Sequence, residues 1–300
     1  MNTYLVFDIG GTNVKYAQMT DSGVIIKKNS VPTPTDTLTH FLLVIEQVID
    51  QYIDEIKGIA ISVPGRVDPA DDRIYFGGSL PFLNGISFSE SLPTCLPITV
   101  ENDGKAATLA ELWRGSLVDV DSGAVVVLGT AVGGGIVINH RLIRGRHDQA
   151  AEFSFMKEAS ADSMTSLFGH RASAVRMIKT ISKQIGLSST IDGKKVFKAI
   201  TDQNPTALAI FTEFCHSIAN LIYNIQIVLD AERYVISGGI SLQPQVTLTI
   251  NQQFDKIRSS NPLIMNTLAR PEIVTSKFRN DANLYGALYQ MIYKQQQGTT

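Results

Sequence analysis

The same plan of apolar strand, glycine turn and second strand occurs twice in this chain of 300 residues. The first copy spans residues 4–19 and turns at residues 10–11. The second spans residues 123–138, with glycines at 129 and 133–135. Because a repeated unit indicates a repeated architecture, we predict two similar α/β domains that face each other across a cleft. Two unrelated glycine-rich hairpins are the alternative, since short glycine motifs also match by chance.

The first glycine turn has the composition of a phosphate-binding loop. An apolar run up to Ile9 supplies the strand, and Gly10 and Gly11 allow backbone dihedrals that let amide groups surround an anion. Thr12 adds a hydroxyl, and Asp8 at the strand end is placed to hold a hydrated cation. Taken alone, the turn is equally compatible with a simple hairpin, so its assignment depends on the rest of the chain.

Apolar periodicity predicts the remaining helices and strands. A nearly continuous apolar run such as residues 58–63 is typical of a strand covered on both faces. The strand at 96–100 is followed by a carboxylate at a strand-to-helix junction, where α/β proteins place their chemistry. The segment 66–92 is rich in turn residues and is expected to form part of a cleft rim. Further strands are predicted at residues 24–31, 234–240 and 273–274, and helices at residues 35–52, 102–113, 164–185, 205–229, 244–257 and 281–293.

Composition excludes several classes of function. A formal net charge of −2 and a pI of about 6.2 give no basic footprint, so nucleic acid is not an expected partner. No run approaches the roughly 18 apolar residues of a membrane helix, and residues 1–4 lack the charge of a secretion signal, which predicts a cytoplasmic protein. Cys95 and Cys215 lie far apart in no CxxC pattern, so we expect two buried free thiols.

Several short motifs occur in one order along nearly the whole chain. In that order they resemble the ROK family (repressors, open reading frames and sugar kinases), which has the actin-like ATPase fold. Each motif is weak alone, but the shared order makes the resemblance specific, and it is strongest to zinc-free members similar to β-glucoside kinases. The motifs are residues 8–12 (DIGGT), 63–65 (VPG), 101–103 (END), 128–130 (LGT), 133–135 (GGG), 151–153 (AEF), 237–239 (SGG) and 281–283 (DAN).

The resemblance implies two ribonuclease H-like α/β domains with a nucleotide and sugar cleft between them. The N-terminal domain is expected at residues 1–117, completed by the C-terminal helix 282–300, and the C-terminal domain at residues 118–281. Relatives are often dimers, so a homodimer is expected as well.

The resemblance also assigns roles to matching positions. Asp103 matches the catalytic base, and Asn102, Asp103, Glu152 and the backbone at Gly65 match the sugar site. The two phosphate turns and a nucleoside contact imply ATP as the cofactor, with Mg²⁺ near Asp8. The expected ATP and Mg²⁺ contacts are Asp8, Gly10, Gly11, Thr12, Gly129, Thr130, Gly238 and Gly239.

These roles agree with what phosphoryl transfer requires. The reaction needs an in-line alcohol, neutralised phosphate charge and a base that takes the proton late, and one carboxylate is enough for that last task. Sugars are held by short, fixed donors and acceptors that bind several hydroxyls at once. The alternative role of Asp103 is a helix N-cap. The alternative for Glu152 is a solvated surface carboxylate.

The zinc-binding pattern of the family is missing from this sequence. Zinc-binding members carry a histidine soon after the glutamate and a CxCGxxGC cluster, whereas Phe155 stands at the histidine position and residues 157–168 contain no cysteine. We therefore expect no zinc site. Because that metal orders a loop near the anomeric end of the sugar, we hypothesise a pocket that is open there and admits an O1 substituent, as in a β-glucoside.

Four other positions depart from the family pattern. Ala131, Ala151 and Ser154 replace glycines, and Lys105 replaces an asparagine. If position 131 requires a positive φ, alanine costs on the order of 1 kcal/mol there, and nucleotide binding weakens. Lys105 lies one turn into the helix after Asp103 and is expected to be solvated.

Together these features predict an ATP-dependent and magnesium-dependent kinase that phosphorylates a hexose or β-glucoside at a primary hydroxyl, expected to be O6. A glucokinase or other simple-hexose kinase is the first alternative. A catalytically weak sugar-binding or regulatory protein is the second. A repressor with an N-terminal winged helix is a further class, but this sequence starts directly at the phosphate strand. The loop at residues 68–83 has no pattern that selects one sugar.

Overall fold

The structure is a computed structural model, and it describes residues 2–68, 71–157 and 163–297. Strands and helices alternate along most of this part of the chain. The strands are β1 (Thr3–Ile9), β2 (Asn13–Thr20), β3 (Ile25–Pro32), β4 (Ile59–Val63), β5 (Arg66–Val67), β6 (Ile74–Tyr75), β7 (Ile98–Asn102), β8 (Ser122–Leu128), β9 (Val132–Ile138), β10 (Arg141–Ile143), β11 (Arg233–Ser237) and β12 (Glu272–Thr275). The α-helices are α1 (Leu38–Asp50), α2 (Phe88–Ser91), α3 (Asp103–Arg114), α4 (Phe168–Arg171), α5 (Ala174–Gln184), α6 (Gly193–Thr201), α7 (Pro205–Leu229), α8 (Pro244–Ser259), α9 (Pro262–Thr267) and α10 (Ala282–Gln297).

The chain divides into two compact units. The first contains Met1–Gly115, Leu142–Ala150 and Asp281–Thr300, and the second contains Ser116–Arg141 and Ala151–Asn280. The sequence holds no signal that would assign Leu142–Ala150 to the first unit. That short segment brings two charged side chains, Arg144 and Asp148, to the end of β7. Among the described residues, no helix combines the length and the apolar character that a membrane span requires.

A five-stranded sheet in the order β3-β2-β1-β4-β7 forms the centre of the first unit. Strands β1, β2 and β3 pair antiparallel, whereas β1, β4 and β7 run parallel. Every residue of β4 is buried, as expected for a parallel strand covered on both faces. Side chains of β1 alternate between the two faces: Phe7 joins a core cluster with Phe41 of α1, and Val6 joins one with Leu284 of α10.

Helices α3 and α10 cross closely in the first unit. A Cβ on Gly286 would overlap the backbone carbonyl of Ala106, so only glycine permits this approach. Trp113 stacks on Tyr289 further along the same pair of helices, with ring centroids 5.5 Å apart. The crossing fixes α3, and therefore fixes the residues at the N-terminus of α3, against the C-terminal helix of the chain.

The second unit repeats the strand plan of the first and adds more helix. Its sheet has the order β10-β9-β8-β11-β12, with β8 antiparallel to β9 and parallel to β11, and β11 parallel to β12. Its core cluster joins this sheet to the 25-residue helix α7 through residues such as Val126 and Ile218. Helix α7 begins at an N-cap, Asn204, followed by Pro205 in the first turn, which is a strong helix-start signal.

Most predicted elements are confirmed, but the structure differs from the sequence interpretation in several places. The helix predicted over residues 164–185 is broken into a 3₁₀ turn, α4 and α5, because the Ser173 side chain accepts from the Arg176 amide and starts a new helix. Helix α6 was not predicted, and the loop-rich segment 66–92 contains the β5–β6 hairpin. Helix α10 extends to Gln297, beyond the predicted end near residue 293.

Candidate functional site

Three parallel strands of the first unit end at the same edge of its sheet. The register pairs Asp8 on β1 with Ser62 on β4, and Ser62 in turn with Glu101 on β7. The segments that follow β1 and β4 therefore lie beside the end of β7, the edge at which α/β proteins bind ligands. This edge carries six of the residues predicted for the site: Gly10, Gly11, Thr12, Gly65, Asn102 and Asp103.

The first glycine turn is a tight and well-supported loop. The Gly10 amide donates to the Asn13 carbonyl at 3.1 Å, and the Thr33 hydroxyl donates to the Gly10 carbonyl at 2.6 Å. A Cβ on Gly11 would lie 2.8 Å from the Ser79 hydroxyl, so the loop that holds Ser79 packs directly against the turn. The predicted phosphate turn is thus held from two sides, with glycine where the backbone is approached most closely.

Asp8 is buried at the end of β1 with both carboxylate oxygens engaged. Lys15 Nζ lies 3.0 Å from Oδ2, and Asn283 Nδ2 donates to Oδ1 at 2.9 Å. Mg²⁺ favours oxygen ligands, keeps several waters and uses one or two protein carboxylates, so the donor type of Asp8 fits the predicted role. The Lys15 side chain is 38% exposed.

The predicted base lies in the first turn of α3, directly after β7. Asn102 is the N-cap: its Oδ1 accepts from the Lys105 amide at 3.0 Å. The capping role proposed as the alternative for Asp103 therefore belongs to Asn102. Asp103 Oδ1 accepts from the Gly104 amide at 2.8 Å and from Asn102 Nδ2 at 3.0 Å. These two donors fix the orientation of the Asp103 carboxylate at the N-terminus of α3.

Gly65 is tied directly to Asn102. Asn102 Nδ2 donates to the Gly65 carbonyl at 2.7 Å, which places the end of β4 against the end of β7. Gly65 has a φ of 95°, and a Cβ there would overlap the Phe76 carbonyl. Phe76 itself has a φ of 56° and is 73% exposed, which is an unusual state for a bulky side chain. Glycine at position 65 is therefore required by both backbone conformation and space.

Lys105 is not solvated, so this sequence expectation is wrong. Its residue is 1% exposed, and its Nζ donates to the Asp148 carbonyl at 2.8 Å. The Asp148 carboxylate and Arg144 continue the contact to Glu101 on β7. Four charged side chains are thus linked in series, and they begin and end at the residues that flank Asn102 and Asp103 in the sequence. The sequence missed this link because Asp148 lies 43 residues from Lys105, and no local pattern reports such a contact.

In the second unit, the turn after β8 has a different construction from the one expected. The Gly129 amide donates to the Ala131 carbonyl at 3.0 Å, and the Gly129 carbonyl accepts from the Ala174 amide at the start of α5. Ala131 does not have a positive φ, so the strain proposed for alanine at this position is absent. Thr130 is exposed at the tip of the turn. The substitution at 131 therefore gives no backbone reason for weak nucleotide binding.

The glycines after β11 lie beside the end of β8. Gly238 has a φ of 96°, and a Cβ there would overlap the backbone of Leu128. The Ser241 hydroxyl donates to the Gly238 carbonyl at 2.7 Å and closes the turn, whereas Gly239 has open space at its Cβ position. The predicted phosphate turn and nucleoside contact of the second unit therefore meet at one sheet edge, as the predicted residues of the first unit do.

Glu152 lies in the second unit, at the start of the 3₁₀ turn Phe153–Phe155, and is partly buried. The strained position nearby is Ala151, which has a φ of 65°. Ser154, by contrast, has a clear structural role: its hydroxyl accepts from the Val132 amide at 3.0 Å and donates to the Val132 carbonyl at 2.9 Å. Of the three residues that replace glycines, Ala131 and Ser154 have no backbone strain, whereas Ala151 has a positive φ.

Phe155, at the position of the family's zinc-binding histidine, is 64% exposed. Within residues 2–68, 71–157 and 163–297, no group of three or more His, Cys, Asp or Glu side chains is arranged to hold a metal. The prediction that both cysteines are buried is wrong for Cys95, which is exposed, and confirmed for Cys215. Burial raises the pKa of the Cys215 thiol well above its usual range.

Sequence reasoning missed six polar residues that support this edge of the first unit. Lys15 and Asn283 hold Asp8, and Glu101, Lys105, Arg144 and Asp148 lie behind Asn102 and Asp103. Two signals were available: Glu101 and Asn283 belong to the motifs END and DAN, although no separate role was given to them. The positive φ of Asp148, 54°, and its contact with Lys105 could not be read from the sequence.

The ROK family model matches residues 4–294. A β-glucoside kinase from Listeria monocytogenes is 27% identical over 302 residues, which cover 96% of this chain and 97% of that protein. A ROK family protein from Streptococcus pneumoniae, solved in complex with sucrose, is 29% identical with a TM-score of 0.87, over 98% of this chain and 99% of that one.

More distant structures share the same fold. A ROK family glucokinase from Streptomyces griseus, solved in complex with glucose and AMPPNP, is 23% identical with a TM-score of 0.83, over 96% of this chain and 98% of that one. These matches confirm the predicted fold class, two α/β domains of the actin-like ATPase type. Since the family model covers nearly the whole sequence and the structural matches span it, the chain belongs to the ROK family.

Proposed function

We propose that this protein is an ATP-dependent sugar kinase that phosphorylates a primary hydroxyl, O6, of a β-glucoside or hexose. The observation that carries the proposal is the shared sheet edge of the first unit. There, a glycine turn suited to phosphate, the Gly65 backbone and the Asn102–Asp103 pair lie side by side. An anion site next to a fixed carboxylate is what transfer of a phosphoryl group to an alcohol requires.

Asp103 acts as the general base in this proposal. Its carboxylate is oriented by the Gly104 amide and the Asn102 side chain, so little reorganisation is needed when the sugar binds. In this role the carboxylate accepts the proton of the attacking hydroxyl late in the reaction. Asn102, Glu152 and the Gly65 backbone are the proposed sugar ligands.

The glycine turns are proposed to bind the phosphates of ATP. Gly10, Gly11 and Thr12 supply amide and hydroxyl donors in the first unit, and Gly129 and Thr130 supply them in the second. Gly238 and Gly239 are the proposed nucleoside contacts. Mg²⁺, held near Asp8 through its carboxylate, would neutralise the charge on the phosphates. Lys15, paired with Asp8 at 3.0 Å, provides a cation at the same turn.

A β-glucoside is the preferred sugar class for two reasons. The Listeria monocytogenes relative that matches over nearly the whole chain is a β-glucoside kinase. Phe155 replaces the zinc-binding histidine of other family members, so metal is not proposed to order a loop near the anomeric end. An O1 substituent is then tolerated. Free glucose remains the alternative substrate.

The proposal is tested by measuring ADP release from ATP and Mg²⁺ with a sugar panel. The panel contains glucose, N-acetylmannosamine, cellobiose, gentiobiose and an aryl β-glucoside. We expect turnover that depends on sugar, with a higher kcat/KM for at least one β-glucoside than for glucose. Turnover of glucose alone would leave a simple-hexose kinase and overturn the glucoside assignment. Sugar binding without ADP release from any member would overturn the kinase itself.

A further inference from the structure

Four charged side chains of the first unit form a mostly buried network next to the proposed base. Three of these residues are almost completely buried: Glu101 is 1% exposed, Lys105 1% and Asp148 2%. The fourth, Arg144, has a side chain that is 25% exposed. We call this set the four-charge network. Its formal charges cancel, because two carboxylates face two cations.

The contacts in the four-charge network are continuous. Arg144 forms a two-point ion pair with Glu101, through Nη2 to Oε2 and through Nη1 to Oε1 at 3.3 Å. Arg144 Nη1 also donates to Asp148 Oδ1 at 3.1 Å. Lys105 Nζ donates to the Asp148 carbonyl at 2.8 Å and lies 3.3 Å from its Oδ2. Burial opposes the charge on Arg144, but the two carboxylates outweigh that cost and raise the pKa of the guanidinium.

Two members of the network flank the Asn102–Asp103 pair in the sequence, and both are hydrogen-bonded to Asn102. Glu101 precedes the pair, and its Oε1 accepts from the Asn102 amide at 2.9 Å. Lys105 follows the pair, and its own amide donates to Asn102 Oδ1 at 3.0 Å. The backbone of residues 101–105 is therefore anchored at both ends by side chains that pair through Arg144 and Asp148. These two partners come from the segment Leu142–Ala150.

Stability alone does not account for this arrangement. Desolvation of buried ion pairs usually consumes most of their attraction, and apolar replacements of similar volume are often as stable or more stable. Asp148 also adopts a φ of 54°, a conformation that brings both its carbonyl and its carboxylate to Lys105. A buried and charge-balanced set next to a carboxylate points to a function that requires exact orientation.

We propose that Glu101, Lys105, Arg144 and Asp148 are positioning residues that hold the Asp103 carboxylate and the Asn102 amide in the geometry needed for phosphoryl transfer. The inference rests on the proposed kinase function and adds to it four residues that do not touch the substrate. Their effect passes through the backbone of residues 101–105. A misplacement of about 1 Å at a reacting group can reduce the rate about 100-fold, so loss of the network should act mainly on kcat.

The test separates positioning from folding with a charge-balanced double variant. Lys105→Met or Asp148→Asn alone leaves the buried network with one charge in excess, so each single variant should lower Tm. Lys105→Met/Asp148→Asn together removes the Lys105–Asp148 pair without an orphan charge, so Tm should recover. We expect kcat of the double variant to stay at least tenfold below wild type, with the KM for ATP within threefold. A recovered Tm with kcat within threefold of wild type would overturn the proposal.

A second background shows whether the network acts through the base. In Asp103→Asn, the same double substitution should lower kcat less than threefold further, because the group that it positions is already absent. A full tenfold additional loss would contradict positioning of Asp103. If the wild type shows no turnover with any sugar, the proposed function fails and this inference fails with it. An active wild type with an equally active double variant refutes only the inference.

Arg144→Lys provides a variant that does not depend on recovery of folding. It keeps the charge but loses the two-point pairing with Glu101, and its side chain is already partly exposed. We expect Tm to change by only a few degrees while kcat falls three- to tenfold. The matched control is Arg233→Lys in the second unit, where Arg233 also bridges two carboxylates, Asp119 and Glu272, and kcat should not change. An equal kcat in both lysine variants would overturn the proposal.

Discussion

The two units of the molecule share one strand plan but bury different polar groups. Each sheet places an antiparallel hairpin beside two parallel strands, and each has glycines after its parallel strands. The first unit buries six acidic or basic side chains: Asp8, Asp72, Glu101, Lys105, Glu111 and Asp148. Among the described residues of the second unit, no Asp, Glu, Lys or Arg side chain is buried.

We interpret this difference as one architecture that serves two proposed chemical tasks. Charged groups are expensive to bury, and they are retained where a reaction needs a fixed charge or a proton acceptor. Backbone amides at glycine turns bind phosphate without any buried charge. We therefore infer that the first unit supplies the acceptor chemistry at Asn102 and Asp103, and that the second supplies mainly neutral phosphate and nucleoside contacts.

The assignment of acceptor chemistry to the first unit is tested most strongly by removal of one carboxylate at the start of a helix in each unit. Asp103→Asn should lower kcat by about 10²- to 10⁴-fold, the usual contribution of a general base, with little change in Tm. Asp192→Asn is the matched control in the second unit, since Asp192 caps α6 through the Lys195 amide and asparagine caps equally well. Steady-state kinetics should show no change for this control. An Asp103→Asn variant within threefold of wild type would remove the base from the first unit.

The two strained glycines give the next largest effect. Gly65 and Gly238 have φ values of 95° and 96°, and a Cβ at either would overlap backbone. Alanine should therefore cost about 2–4 kcal/mol of stability at each position, from strain plus overlap. Gly65→Ala should raise mainly the KM for sugar, and Gly238→Ala mainly the KM for ATP. Calorimetry and kinetics at permissive temperature test both, and equal effects on both substrates would argue against separate roles for the units.

A smaller effect concerns backbone strain inside the second unit. Ala151 has a φ of 65°, so Ala151→Gly should stabilise the protein by about 1 kcal/mol. Gly186 has a φ of 73° with open space around it, so Gly186→Ala is the mirror variant and should destabilise by a similar amount. Urea denaturation measures both. If both substitutions shift stability in the same direction, φ is not the cause.

The smallest expected effect tests the cost of burying charge in the first unit. Burial raises the pKa of Asp72 above its ordinary value of 3.8, although a hydrogen bond from Lys294 opposes the shift. As pH rises above 3.8 the unfolded chain ionises first, so Asp72 lowers stability at neutral pH and this cost disappears in acid. Asp72→Asn should gain less than ~1 kcal/mol at pH 7, because asparagine also tolerates the φ of 55°.

A control variant and a pH series distinguish the small stability change of Asp72→Asn from other causes. The stability gain of Asp72→Asn should shrink as pH falls from 7 towards 4, when measured by urea midpoints. Asp202→Asn removes an exposed carboxylate that pairs with Lys198 in the second unit, and it should show no such trend. A gain for Asp72→Asn that is independent of pH would rule out ionisation as its origin.

Local patterns were sufficient to predict much of the fold and part of the site. The glycine turns, the parallel strands and the Asn102–Asp103 junction each depend on a few neighbouring residues, so they could be predicted from the sequence. Helix breaks were harder, because apolar spacing continues across Ser173 even though its side chain starts a new helix there. Helix α6 is preceded by a recognisable start signal, the N-cap Asp192 before an apolar repeat, although no helix was predicted there.

The four-charge network could not be predicted from these windows. Lys105 occurs in a helix that is polar on one side, and a solvated lysine is the ordinary expectation there. Its burial depends on Asp148 and Arg144, which reach the end of β7 only because Leu142–Ala150 belongs to the first unit. Position 131 differs in another way. Because Ala131 replaces a glycine of the family pattern, a positive φ was considered there, but the Ala131 backbone does not adopt one.

The central claim is that this edge of the first unit directs phosphate from ATP to a sugar hydroxyl. It is tested most directly by the identity of the product formed from gentiobiose or an aryl β-glucoside, ATP and Mg²⁺. Phosphorus–proton correlation NMR should show a phosphate ester on a primary C6 carbon, with ADP in equal amount. Inorganic phosphate without a sugar ester, or phosphate on the anomeric or a secondary hydroxyl, would contradict the account.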